Sequence, residues 1–210
     1  MTDTTAVKRA VERVTSSESG EMRITRPGGT VEVKTGNKAA AQGIDVSVDP
    51  PIAPVKQKST MTCWAAAGTM MASWKASASM PPESVLDGLG GSWRAKYDAD
   101  QGLTTTELHA FAEALGLRQE GPASYSVEGL ARLVKQYGPL WVISDDSFEG
   151  NKIVHARIVT AVKGDGSIDG TTVILVDPVP GAFVTEAFTR FAKRLEATDV
   201  VNFGVGIYHW

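Results

Sequence analysis

The chain has one cysteine, Cys63, and three histidines, His109, His155 and His209. Cys63 opens the run CWAAAGTMMASW, which is apolar nearly all round, the pattern of a buried helix. A thiol there meets the positive end of the helix dipole and free backbone N–H groups, and both favour thiolate over thiol. A thiolate is the nucleophile of thioester chemistry, which also needs a base to carry protons and donors to hold the tetrahedral oxyanion. The competing reading of a lone cysteine is a small buried hydrophobe without chemistry. A single cysteine excludes an internal disulfide and a cysteine-rich zinc site.

His155 lies in IVHARIVTAV, and Asp177 closes TTVILVD; the Gly/Asp-rich KGDGSIDG joins the two runs. A hairpin turn centred on Gly166 sets His155 directly opposite Asp177, on one face and within side-chain reach. A slip of one residue moves them to a diagonal or to opposite faces. A carboxylate beside an imidazole fixes its tautomer and stabilises the imidazolium, which in turn stabilises a thiolate. Six residues before Cys63 stands Gln57. If its loop folds back over the thiol, its carboxamide joins the Cys63 N–H as an oxyanion donor. A histidine in an apolar strand is more often packed than reactive, so His109 and His209 stay open as alternative bases.

Metal chemistry has little support. No H-x3-H or C-x2-C spacing exists, and GDGSIDG lacks the alternating ligands and final Glu of a calcium loop, so a hairpin turn explains it better. The pair Asp145-Asp146 reads as a solvated strand end or cleft rim. No cofactor is expected.

The elements that must position these residues are legible in outline. All fifteen aromatic residues lie from Trp64 onward, and residues 1–50 carry as many acidic as basic side chains. They read as a loosely structured extension, with a hairpin over 22–35 around Arg-Pro-Gly-Gly. A compact domain is expected from 51 to 210. In it, Thr104 and Glu107 form a capping box for LTTTELHAFAEALG, which Gly116 ends. Ser126 caps SVEGLARLVKQY ahead of Gly138. After Gly138 come strand-like runs, PLWVIS, IVHARIVTAV, TTVILVDP and VVNFGVGIYHW. Helices first and an antiparallel sheet afterwards make an α+β fold.

A net charge of −3 gives no broad basic surface for nucleic acid. No apolar run reaches the roughly 18 residues of a membrane span. The N-terminus has no apolar h-region, so a soluble protein made in the cytoplasm is expected, with export without a cleaved signal left open.

The ordered set Q-x5-C-W opening a helix, then GPLWVI, H-A-R-I-V-T and V-D-P, resembles the papain-like cysteine peptidases over about residues 52–185. It is most similar to their compact bacterial branch, the staphopain-like enzymes and avirulence-type effector proteases. The resemblance implies a papain-like fold, with a helical subdomain carrying the nucleophile helix packed on a C-terminal antiparallel sheet. It implies Cys63 as nucleophile, His155 as general base, Asp177 in the orienting position that papain fills with asparagine, and Gln57 in the oxyanion hole. Trp64 matches the aromatic after the nucleophile, and with Trp141 it is expected to line the substrate cleft. Met61-Thr62 departs from the Gly-Ser that precedes the cysteine in papain. The substrate would be a protein or peptide, cleaved at peptide or isopeptide bonds. The setting would be that of a bacterial effector or toxin, with the N-terminal segment meeting an immunity, chaperone or delivery partner. Two alternatives use other readings of the same residues: a cell-wall peptide amidase or acyl transferase, and a binding module with a structural cysteine.

Overall fold

The computed structural model describes residues 13–16, 21–26, 29–34, 43–121, 124–146, 154–197 and 206–210. By its contacts the chain divides into two units, 1–42 and 43–210. In the first, β1 (Arg13–Ser16), β2 (Glu21–Arg26) and β3 (Gly29–Lys34) form an antiparallel sheet in that order. Arg26 pairs with Gly29 at the β2–β3 hairpin. Pro27 and Gly28 of the expected turn lie outside the described residues.

The second unit begins with β4 (Ile44–Ser47), which pairs with a strand of the main sheet. The sheet therefore takes in residues upstream of 51. Ile-Asp-Val-Ser alternates apolar and polar as an edge strand should, but carries none of the aromatics by which composition marks the domain start.

Four helices follow: α1 (Cys63–Ala76), α2 (Pro82–Leu89), α3 (Trp93–Asp98) and α4 (Thr105–Ala114). Helix α1 is buried from Trp64 through Met71, so almost every face of its first two turns meets protein. It ends where Ser77 adopts a left-handed conformation. Helix α4 has its capping box: Thr104 and Glu107 exchange side-chain and backbone hydrogen bonds. The Lys96 ammonium and the Thr104 N–H and hydroxyl hold the Glu107 carboxyl down at about 2.

After β5 (Arg118–Gln119) and α5 (Val127–Tyr137), capped by Ser126, the chain turns to strands. These are β6 (Leu140–Asp145), β7 (Val154–Gly164), β8 (Thr171–Asp177) and β9 (Ala182–Ala187). Helix α6 (Phe188–Ala197) and β10 (Ile207–His209) complete the unit. The seven-stranded sheet runs β5-β10-β6-β7-β8-β9, with β4 beside β7. One edge of β7 is shared, since β6 pairs with Val154–Val159 and β4 with Ala161–Gly164. Every pairing is antiparallel. The fold is α+β, as the element order predicts.

Alternation along the strands sends side chains to two cores. Trp141, Ile143, Ala156, Ile158 and Val176 pack with Trp64, Met70 and Met71 of α1. Leu140, Val142, Val159, Val162 and Leu175 pack with Leu130 and Val134 of α5 and Phe188 and Phe191 of α6. Helix α6 and β9 are additions to the sequence reading. The spacing of Phe188, Phe191 and Leu195 carried the signal for α6. Among the described residues, no helix is long and apolar enough to cross a membrane.

The β7–β8 register differs from the expected one. Gly164 pairs with Thr171, which moves the turn past Gly166, and the register shifts again between Val159 and Ala161. Beyond that bulge Ile158 pairs with Val176, so the ladder, continued, sets Asp177 opposite Arg157 and leaves His155 on the diagonal. Asp165 causes the longer turn: it accepts from the Ser167 N–H at 2.7 Å and from the Ser167 hydroxyl at 2.6 Å. GDGSIDG is thus a hairpin held by its own side chains.

Candidate active site

Cys63 is the first residue of α1 and half-buried. The residue before it, Thr62, does not cap the helix. Its hydroxyl instead donates to the Ser59 carbonyl at 3.0 Å and accepts from the Ser59 N–H at 3.1 Å. The first N–H groups of α1 are therefore left uncapped by Thr62, beside the thiol.

The loop leading to Cys63 is pinned at both ends. The Met61 N–H donates to Asp100 at 2.9 Å, and Lys58 pairs with Asp98 at 3.2 Å and covers the Tyr97 ring at 4.8 Å. At the other end the Gln57 N–H donates to the Pro178 carbonyl at 2.9 Å. That carbonyl lies in the turn after β8. Gly181 ends this turn at φ 65°, where a Cβ would stand 2.5 Å from the Cβ of Lys56. Only glycine lets the two segments approach so closely.

His155 on β7 is 7% exposed. Its Nε2–H donates to Asp177 Oδ1 at 2.8 Å, and the Cys63 thiol is the other side chain that favours its charge. With Nε2 committed to a carboxylate, Nδ1 is the nitrogen left for the thiol. Burial is the largest influence on His155 and disfavours its charge. The influences of Asp177 and Cys63 together outweigh it, so His155 is held above the usual histidine range despite some opposition from Arg157.

Asp177 is held on both oxygens. Oδ1 also accepts from the Val179 N–H at 2.8 Å, and Oδ2 accepts from Arg157 Nε at 2.8 Å. Burial pushes the carboxyl up most strongly, but the bonds from His155, Arg157 and Val179 overcome it and leave it far below the usual carboxylate range. Arg157 belongs to a chain of ion pairs. Its Nη1 donates to Ser144 Oγ at 2.9 Å and, with Nη2, it engages both oxygens of Asp146. Asp146 pairs in turn with Arg194 of α6, which reaches Glu186 at 3.0 Å. Sequence reasoning missed Arg157 and treated Asp146 as a rim residue. The signal was the spacing H-x-R, which puts both side chains on one face of β7.

Gln57 stands elsewhere in its geometry. Its Nε2 donates to the Ser59 carbonyl at 2.8 Å and to the Thr60 carbonyl at 3.1 Å, while Oε1 is buried without a hydrogen-bond partner. Both N–H groups are therefore directed at the loop before Cys63.

Trp64 and Trp141 are corrections. They are 2% and 0% exposed, members of the core under α1, and neither faces a cleft. Trp64 packs edge-on against Phe111 and donates its indole N–H to the Gln101 carbonyl at 3.0 Å. Burying an aromatic of that size contributes about 1.5–3 kcal/mol, reason enough for its position. The other histidines have their own partners. His109 Nδ1 meets the Tyr208 hydroxyl at 3.0 Å, and His209 pairs with Glu120 at 2.6 Å while stacking on Tyr137.

A helical part that presents a thiol, followed by an antiparallel sheet whose central strand presents an imidazole, is the plan of the papain-like cysteine peptidases. The protein is thus a hydrolase of that class. Comparison with protein families gives the particular branch: residues 44–196, from β4 into α6, match the papain-like cysteine protease AvrRpt2 family, and the chain belongs to it. A comparison with curated proteins gives no match.

Proposed function

We propose that this cysteine protease hydrolyses peptide or isopeptide bonds through Cys63, His155 and Asp177, with Gln57 and the Cys63 N–H as oxyanion donors. The observation that carries the assignment is the setting of His155, whose Nε2 is held by Asp177 Oδ1 at 2.8 Å while the Cys63 thiol at the start of α1 also favours its charge. The Cys63 thiolate attacks the scissile carbonyl carbon, and the carbonyl π electrons move to oxygen. Collapse of that oxyanion expels the amine, which takes the proton from His155 Nδ1, and leaves a thioester on Cys63. Water then attacks the thioester, giving its proton to Nδ1, and the acid product departs as the thiolate–imidazolium pair re-forms. Asp177 keeps Nε2 protonated throughout, so Nδ1 is the nitrogen that exchanges protons. Of the two bonds made by Gln57 Nε2, the one to Thr60, longer at 3.1 Å, is the one a substrate oxyanion would displace.

The setting we infer is that of an exported effector or toxin, with residues 1–50 serving delivery or partner contact. Cleavage of an unfolded protein such as casein tests the assignment. Cys63→Ala should abolish turnover while thermal unfolding stays close to wild type. Retained turnover in that variant would sink it.

A further inference from the structure

We propose that Arg157 is a positioning residue of this site, holding the Asp177 oxygen that His155 does not use, so that the carboxylate meets the imidazole in one orientation. The inference rests on the Cys63–His155–Asp177 reading. Arg157 is 6% exposed, and a buried guanidinium survives only where its donors are matched. Its fork is divided between two jobs. Both Nη atoms serve Asp146, with Ser144 beside them, whereas Nε alone reaches Asp177, at 2.8 Å. The Asp146 side is anchored to α6 through Arg194. The guanidinium is therefore fixed from behind, and Asp177 rests on a fixed donor. The ladder agrees: continued one pair past Ile158–Val176, it puts Arg157 and not His155 directly across from Asp177.

The arrangement also accounts for an aspartate where papain has asparagine. His155 Nε2–H and Arg157 Nε–H both donate to this side chain, one to each oxygen. An asparagine has a single acceptor oxygen and would turn an N–H toward one of the two donors. A neighbour that donates from the second side requires a carboxylate.

The charges facing this centre come from every packed element. Cys63 lies on α1, Asp146 follows β6, and His155 and Arg157 lie on β7. Asp177 lies on β8, Glu186 on β9, and Arg190 and Arg194 on α6. Arg157 acts on His155 in two opposed ways. Directly, its charge disfavours the imidazolium; indirectly, it holds the carboxylate that favours it, and the Asp177 bond is the larger influence. The two routes predict opposite signs, which makes the role testable.

The experiment is the rate of Cys63 alkylation by iodoacetamide between pH 4 and 9 on the full chain. It compares wild type with Arg157→Met and Arg157→Lys, with His155→Ala as control and thermal unfolding as the check on folding. If Arg157 positions Asp177, its loss weakens the imidazolium, and the acidic midpoint moves up. A displacement of about one pH unit would lower the rate on that limb about tenfold. Arg157→Lys keeps the charge but has no fork to span Asp146 and Asp177, so its midpoint moves the same way. An unchanged or lowered midpoint in folded Arg157→Met overturns the proposal. Should that variant not fold, Arg157→Lys decides on the same criterion. A profile that also ignores His155→Ala overturns the proposal together with the Cys–His reading. One that depends on His155 alone overturns the proposal and leaves that reading standing.

Discussion

Asp177 accepts from Arg157 Nε on one oxygen at 2.8 Å, and His155 reaches the other oxygen of the same carboxylate at 2.8 Å. Each oxygen has its own donor, so the carboxylate cannot rotate without breaking a bond. Asp177→Asn is therefore a severe change here, although it looks conservative. Proton transfer through a correctly held base is worth about 10²–10⁴-fold, and a fall in kcat of that order is expected for casein hydrolysis. The lost negative charge also lowers His155, so the bell-shaped profile should narrow, its basic limb moving to lower pH. An Asp177→Asn enzyme with near wild-type kcat and an unmoved basic limb would show that the carboxylate does not support the base.

The same pair should be visible in stability. His155 is raised in the folded protein, so it contributes stability in full below its unfolded value of about 6.5, and that contribution is lost as pH rises through its folded value. Asp177 is lowered, so its contribution is present above about pH 3.9 and fades as pH falls toward its folded value. Glu186, raised chiefly by burial, adds an opposing slope only in the carboxylate range. Thermal melts from pH 6 to 8.5 should therefore show a decline that His155→Ala lacks. Equal slopes in the two proteins would contradict the ion-paired histidine.

Much of this fold, and the nucleophile's place in it, was legible because the parts follow short-range rules. Cys63 at the start of an apolar helix, the Thr104–Glu107 box and the Ser126 cap are written within a few residues each. The membership of the His155–Asp177 hairpin was legible, but its register was not. The Asp165–Ser167 bonds lengthened the turn, and the bulge before Ala161 shifted the ladder again; neither leaves a periodic trace in sequence. Arg157 was missed for a different reason. Its partners Ser144 and Asp177 come from two other strands and Asp146 from the residue after β6, and only the assembled sheet brings the four polar residues together. Trp64 misled because an aromatic beside a nucleophile reads as a cleft wall, whereas the helix turns it inward; Trp141 lies on β6, whose alternation sends it into the same core.

Gly181 gives a prediction about how the two halves of the site are joined. At φ 65°, with a would-be Cβ 2.5 Å from Lys56, Gly181→Ala must strain its own backbone and push away the segment carrying Gln57. The left-handed conformation alone costs about 1–2 kcal/mol for an alanine. Chemical denaturation should show at least that loss. Casein turnover at a temperature where the variant is fully folded should also drop, because the Gln57–Pro178 bond is displaced. A loss of stability with turnover intact would separate this turn from the site.

Thr104 provides the contrasting case, a residue of local structure with no tie to the chemistry. Thr104→Ala removes the acceptor of the Glu107 N–H and the hydroxyl that donates to Glu107 at 2.9 Å. Loss of such a cap costs about 1 kcal/mol. The urea midpoint should fall accordingly, with the pH profile of Cys63 alkylation unchanged; a shifted profile would mean that α4 reaches the site.

Gln57 carries the sharpest prediction, because its two functions pull in opposite directions. Its Oε1 is buried and unpaired, and an orphaned buried acceptor costs about 1–3 kcal/mol. Its Nε2, on the other side of the same amide, is the donor assigned to the oxyanion. Gln57→Ala removes both at once, along with the bonds to Ser59 and Thr60 that partly offset the orphan. Stability should change by no more than about 1 kcal/mol in either direction, since those gains and losses are of similar size. Turnover should not be spared: losing one oxyanion donor lowers kcat about 10²–10³-fold. The alkylation rate of Cys63 should stay near wild type, because iodoacetamide reacts without forming an oxyanion. A variant slow in both reactions would place Gln57 in support of the thiolate, and one fast in both would remove it from the chemistry and leave it a loop brace.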